Sequence, residues 1–187
     1  MASDAKKVIT EDGMVFGYVN LLEPRAINEG ATPKYNAEIT FKKTDKKTYQ
    51  NLMTAIQTAY DEGQAKLKGN GKVVPPLSAV HNPVRDGDIE RAGDPHYEGC
   101  YFFNASNTVK PGIVDKDLNP IMDPNEIYSG MIGRASLRAY CYNSNGNKGI
   151  SLSLQNIMKT ADGPRLGGHK SAAEDFAGLD DEDDFLS

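Results

Sequence analysis

Alternation between apolar and polar side chains dominates the best-patterned stretches of this chain. Tyr35, Ala37, Ile39 and Phe41 alternate with Asn36, Glu38, Thr40 and Lys42, the two-residue period of a half-buried strand. Upstream, MVFGYVNLL from Met14 to Leu22 is apolar enough for a strand, which the Glu23–Pro24 step then disturbs. The link between them, ending in EGATPK, reads as an exposed loop. From Asp45 to Lys68 the period lengthens. Leu52, Ile56, Ala59, Tyr60 and Leu67 share one face of a 3.6-residue repeat, with Asp45 or Thr44 as the cap and Gly69 and Gly71 as the end. Pro75–Pro76, Asn82–Pro83 and the Asp-Gly-Asp at 86–88 make residues 72–95 a loop with short extended pieces. GCYFFNASNTV (99–109) has the aromatic and β-branched content of a central strand, ended by Pro111–Gly112. MIGRASLRAYCYN and ISLSLQNIMK, joined by SNGNKG, form a β-hairpin turning at Asn145–Gly146.

The resulting order is strand, strand, helix, irregular segment, strand, strand, strand. At least five strands with one substantial helix suit a mainly β fold that curves on itself to close its edges. An OB-fold-like barrel is one solution, although the helix of that fold most often stands between the third and fourth strands. Another α+β sheet remains open on pattern alone. The chain has 187 residues, enough for one domain with a real core. Its 39% hydrophobic content and 28 Gly and Pro residues argue against a helical bundle. Beyond Thr160 apolar periodicity fades, so residues 1–165 are read as the folded domain and 166–187 as a disordered acidic tail.

Charge sharpens that division. The formal net charge is -5, but Glu174, Asp175, Asp180, Asp181, Glu182, Asp183 and Asp184 stand in the last 14 residues without a Lys or Arg. Setting these seven aside leaves 19 acids against 21 bases, a mildly basic body with an acidic end. Cys100 and Cys141 lie in apolar strands and read as buried free thiols of a reducing compartment. No stretch approaches 18 apolar residues and the N-terminus has no apolar leader, so no membrane partner is expected.

The strand faces point to a ligand. Along 131–142, Gly133, Ala135, Leu137, Ala139 and Cys141 make a small apolar face suited to a barrel interior. The opposite face carries Arg134, Ser136, Arg138, Tyr140 and Tyr142. Bases stack on aromatic rings while arginines hold phosphates, the chemistry of a single-strand platform. Packing of the two tyrosines under a helix or loop is the competing structural reading. Tyr101 and Tyr35 join the stacking candidates, and Lys42, Lys110 and Lys148 join the backbone-holding candidates, the last two lying near strand ends where binding loops sit.

The terminal DDEDDFLS adds a second signal. Asp181, Glu182, Asp183, Asp184 and Phe185 combine clustered acid with an apolar tip, a short linear motif for a partner protein with a basic-rimmed pocket. The same segment is a candidate to occupy the protein's own cationic groove until a ligand displaces it, and a tail that only aids solubility is the plain alternative. Catalytic readings are weaker: no glycine-rich phosphate loop, HExxH or GxSxG is present. A zinc site from His81, His96, Cys100 and Cys141 matches no strong spacing, and Asp86, Asp88, Glu90 and Asp94 lie where turn acids are common. No catalytic residue, metal or cofactor is expected. A tail-centred adaptor and a metal-dependent nuclease are the rival functions, and RNA is the neighbouring ligand.

The stretch GRASLRAYCYNSNGNKGISLSLQNIMKTADGPRLGG, with YFFNASNTVKPGIVD and YNAEITFKK upstream, resembles a family of phage-encoded single-stranded DNA-binding proteins. The resemblance runs from about Gly13 to the end, and the Tyr-rich strand followed by NKGISLSLQNI is its most specific part. It implies an OB fold that binds single-stranded DNA without marked sequence preference, in phage replication or recombination in the cytoplasm of an infected bacterium. The acidic end is similar to tails that recruit replication enzymes in bacterial and phage single-strand binding proteins. Here it closes in FLS rather than alternating proline and phenylalanine, which implies a different partner. Monomer and homo-oligomer both remain open.

Overall fold

A computed structural model describes residues 4–166 and Phe176. Asp181, Glu182, Asp183, Asp184 and Phe185, read above as partner-binding, lie outside the described residues, as does all of the expected tail except Leu166 and Phe176.

The predicted hairpin is the longest paired unit. Strands β7 (Ile132–Ser144) and β8 (Asn147–Ala161) pair antiparallel, and Asn145 (φ 53°) and Gly146 (φ 86°) take the two positive-φ positions of a tight turn. The other strands are β1 (Lys7–Ile9), β2 (Met14–Arg25), β3 (Lys34–Lys42), β4 (Arg85–Asp86), β5 (Cys100–Asn107) and β6 (Gly112–Val114). β7 pairs with β2, β2 with β3 and β3 with β5, all antiparallel, and β5 runs parallel to β8. Following these partners from β7 leads back to β7 through the hairpin. The result is a mixed sheet with few helices and an OB-fold-like topology. β1 lengthens the sheet beside β7, β6 beside β8 and β4 beside β5.

Two-residue alternation places one side of every long strand inside. Ala135, Leu137, Ala139 and Cys141 of β7 meet Ile150, Leu152, Leu154 and Ile157 of β8, with Ile39 and Phe41 of β3 and Phe103 and Ala105 of β5 completing the core. Each large apolar side chain taken from water contributes about 1.5–3 kcal/mol. Helix α1 (Lys46–Glu62) adds Leu52, Ala55, Ile56 and Ala59 to the same core. Asp45 caps it, accepting from the Thr48 amide at 3.1 Å.

One expectation needs correction. The single helix over 45–68 is two, because Gly63 separates α1 from α2 (Gln64–Lys68). A Cβ on Gly63 would run into Cys141 Sγ and the Ala59 carbonyl, so the helix end seats against β7 only with glycine there. The Glu23–Pro24 step does disturb the first long strand, at a shift in the β2–β3 register, without ending it. β2 continues to Arg25, which pairs with Lys34, and the register shift between Asn20 and Arg25 spares Pro24 a ladder bond that it cannot donate. β5 ends at Asn107, short of Pro111, and a separate strand, β6, begins at Gly112, whose amide donates to Asn156 Oδ1 at 3.1 Å.

The irregular segment before β5 is fastened by charge. After β4, the short helix α3 (Gly87–Glu90) presents Asp88, and Lys43 Nζ lies 2.7 Å from both Asp86 and Asp88. The shared ammonium holds both carboxyls below their ordinary range, and Asp88 is held further by the Gly99 amide at 2.9 Å. A carboxyl lowered on folding stabilises the fold above its unfolded pKa, near 4, and that stability is lost as pH falls through the folded value. The Gly99 amide resonance is therefore expected to stay fixed from pH 7 to about pH 4 and to move only below it. A midpoint at or above the ordinary aspartate value would contradict the clamp.

Candidate nucleic-acid interface

The side chains left outside the core define the surface that a ligand would meet. On β7 the outward residues are Arg134, Ser136, Arg138, Tyr140 and Tyr142, since Ala135, Leu137, Ala139 and Cys141 between them are buried. Arg138 lies opposite Ser153 of β8, and Ser153 opposite Ser106 of β5. Ser106 in turn faces Asn36 of β3, and Asn36 faces Asn20 of β2. Asn20 Nδ2 donates to Asn36 Oδ1 at 3.0 Å, which places both side chains on one face. Arg138, Ser153, Ser106, Asn36 and Asn20 thus form a row perpendicular to five strands. Four interstrand steps make it about 19 Å long.

This row is polar, and its members between Arg138 and Asn20 carry no charge. Hydroxyl and amide groups both donate and accept, so they suit sugar oxygens, base edges and water alike. Tyr140 and Tyr142 stand beyond its Arg138 end, about 7 Å apart on the two-residue repeat of β7. Opposite them β8 offers only Ser151 and Gly149, which leaves space beside the rings. Tyr142 is partly covered: a Cβ on Gly149 would lie 2.7 Å from its hydroxyl and 2.6 Å from His81 Cβ. Burial raises the pKa of Tyr142, with Tyr140 as the second cause, so its hydroxyl stays protonated. Tyr140 is the more open ring.

The remaining candidates are dispersed. Arg134 Nε donates to the Thr10 carbonyl at 2.9 Å, and Arg138 pairs with Asp4 while its side chain stays 44% exposed. Tyr101 shares the inward parity of Phe103. Its ring stacks on Tyr49 of α1 at 4.7 Å and packs on Phe41 at 5.7 Å, away from the polar row. Tyr35 sits half-buried at the start of β3, with the parity of Ala37. Lys148 turns toward α2, its Nζ 3.5 Å from the Lys68 carbonyl. Lys42 is exposed at the end of β3, and Lys110 is exposed beyond β5.

Several groups on the outer face were not singled out from sequence. Glu38, on the outward side of β3, is only 5% exposed; Tyr97 donates to one of its oxygens and Arg91 lies 3.7 Å from the other. Burial, then the bond to Glu38, raises the Tyr97 pKa so that it remains a donor. Arg91 also stacks over Phe102 at 4.9 Å, so residues 85–99 cover part of this face. Tyr18 is 72% exposed on β2. Its one local signal was Gly17, since a lone glycine in a strand marks a bulge.

The acids of the nuclease reading have separate partners: Asp86 and Asp88 hold Lys43, Glu90 pairs with Arg85 at 2.8 Å, and Asp94 accepts from the His96 amide at 3.0 Å. The zinc reading is scattered too: Cys141 donates to the Ala59 carbonyl, Cys100 lies against the Glu98 carbonyl, and His96 meets Thr40. Among the described residues no three His, Cys, Asp or Glu side chains converge as metal ligands.

Known proteins resemble this architecture over most of its length. The putative protein p50 of Acyrthosiphon pisum secondary endosymbiont phage 1 is 27% identical over 170 residues, 87% of this chain and 88% of that protein. The single-stranded DNA-binding protein of bacteriophage Enc34 in complex with ssDNA superposes with a TM-score of 0.68 at 21% identity, over 87% of this chain and 90% of that one. A C-terminal truncation of the same phage protein gives 0.70 at 18% identity, over 87% and 89%. A family model described as "Enterobacter phage Enc34, ssDNA-binding protein" matches residues 6–186, nearly the whole sequence, and the chain belongs to that family.

Proposed function

We propose that this protein binds and protects single-stranded DNA without catalysis, laying the strand across the row from Arg138 to Asn20. The observation that carries the reading is that row itself: polar side chains aligned across five strands, uncharged except for Arg138, with the open Tyr140 and the partly covered Tyr142 at one end. Family membership supports the ligand, since the Enc34 relative is a single-stranded DNA-binding protein solved with ssDNA. In this reading Tyr140 and Tyr142 stack bases, while Arg138, Lys42 and Lys110 attract the backbone. Tyr35, Tyr101, Arg134 and Lys148 serve packing and placement.

The circuit of pairings supports a closed barrel, which would hold the row at fixed curvature. The acidic C-terminal segment would recruit replication or recombination proteins and compete for the DNA groove. The setting would be the cytoplasm of a phage-infected bacterium.

Fluorescence anisotropy on matched single-stranded and duplex DNA tests this, using the full chain and a chain ending at Ala173. Preference for the single strand is expected, with affinity falling as salt rises. If three phosphates are neutralised, the log–log slope is about -2 and affinity drops roughly 16-fold from 50 to 200 mM salt. Truncation is expected to tighten binding if the acids compete. No binding by either form would refute the proposal and favour an adaptor acting through the acidic segment.

A further inference from the structure

Tyr18 is held in a conformation that a large side chain rarely takes. Its φ is +46°, in the left-handed region, at a register shift of β2 between Gly17 and Asn20. Such strain persists only where the surroundings enforce it. Here the Val19 amide is tied to Ser129 Oγ at 3.2 Å, and Asn20 is tied to Asn36. The bulge turns an aromatic ring outward that regular pairing would not expose.

Beside this ring lies a cleft of about 260 Å³, walled by Tyr18, Glu38, His96, Tyr97 and Leu166. It is smaller than most pockets for drug-sized ligands and suits one planar ring system. Glu38 and Tyr97 are both nearly buried in its wall, and Asp94 adds a second carboxylate beside them. Tyr97 occupies one of roughly four lone-pair sites of Glu38 and Arg91 approaches the other oxygen, so acceptor capacity remains. A carboxylate repels phosphate, which brings negative charge and no donor. The donors that a DNA strand offers are the amino and ring N–H groups of its bases.

We propose that this cleft is a base subsite that accepts an unpaired guanine, stacked on Tyr18, with N1–H and the 2-amino group donating to Glu38. Guanine fits because it presents two adjacent donors, whereas thymine offers one N–H and cytosine one amino group. The proposal rests on the single-stranded DNA reading and adds a local base preference to otherwise sequence-tolerant binding.

The test compares the full chain on a twelve-nucleotide thymidine strand with strands bearing one central deoxyguanosine, deoxyinosine or deoxycytidine. Deoxyinosine keeps N1–H and lacks the 2-amino group. Deoxyguanosine is expected to raise affinity about five- to tenfold over the all-thymidine strand, and deoxyinosine to lose most of that gain. The guanine-to-thymine ratio is expected to fall to about one in Glu38→Gln and to shrink in Tyr18→Ala, whose exposed side chain can be removed without opening the core. Equal binding of all four strands, a larger gain from cytidine, or a guanine gain surviving both substitutions would overturn the subsite while leaving general binding intact. Failure of every strand to bind would overturn the functional reading and the subsite together.

Discussion

Replacing Tyr140 and Tyr142 together with alanine is expected to weaken single-strand binding by roughly 30- to 1000-fold, about 2–4 kcal/mol. Each base–tyrosine stack contributes about 1–3 kcal/mol. Tyr142, with its hydroxyl over Gly149 and beside His81, belongs at the lower end, and two neighbouring rings do not add independently. The stacking surface is the ring, so the double phenylalanine variant is expected to retain most of the affinity. An anisotropy titration of the three proteins on one oligonucleotide checks this. Affinity unchanged in the double alanine variant would remove the tyrosines from the interface, and an equal loss in the phenylalanine variant would assign the effect to the hydroxyls. Tyr140 lies at the surface, so its removal alone is expected to change stability by no more than about 0.5 kcal/mol.

The largest stability effect is expected at the opposite face of the sheet. Phe103 is fully buried, lies opposite Ile39 in the β3–β5 ladder and meets Phe41 edge-on at 6.1 Å. Phe103→Ala removes that apolar surface and leaves a cavity that a closely paired sheet cannot collapse. A loss of about 3–5 kcal/mol follows. For a domain of this size that lowers the thermal midpoint by roughly 6–20 °C. Thermal unfolding followed by circular dichroism reads it directly, and a shift below about 2 °C would mean that Phe103 is not central to the core. β3 and β5 also carry Asn36 and Ser106 of the polar row, so the same variant is expected to bind DNA less well near its midpoint and almost normally well below it.

What could be read from the chain divides along local and non-local physics. The hairpin was legible because Asn145–Gly146 is a turn signal and Ala135 to Cys141 keep strict alternation with Arg134 to Tyr142. The outward placement of Arg138, Tyr140 and Tyr142 followed from the same parity. The helix cap at Asp45 was visible for similar reasons. Register was not legible. Nothing in single stretches says that Asn20, Asn36, Ser106 and Ser153 share one line, because strand pairing across 16 to 70 positions is set by packing of the inner faces. Tyr101 shows the same limit: its parity with Phe103 was apparent, whereas its cover by Tyr49 depends on how α1 returns across the sheet. The basic run Lys42, Lys43, Lys46 and Lys47 has the local composition of a phosphate-facing patch. In the fold Lys43 is committed to Asp86 and Asp88, and Lys47 pairs with Glu11 at 3.0 Å. Long-range ion pairs of this kind leave no mark on local composition.

Amide NMR of the full chain titrated with a twelve-nucleotide thymidine strand locates the path of DNA across the sheet. Resonances of Asn20, Asn36, Ser106, Ser153, Arg138 and Tyr140 are expected to shift together and saturate at one concentration. Shifts confined to another surface, such as the cleft around Asp115 to Asp123, with this row unmoved, would contradict that path.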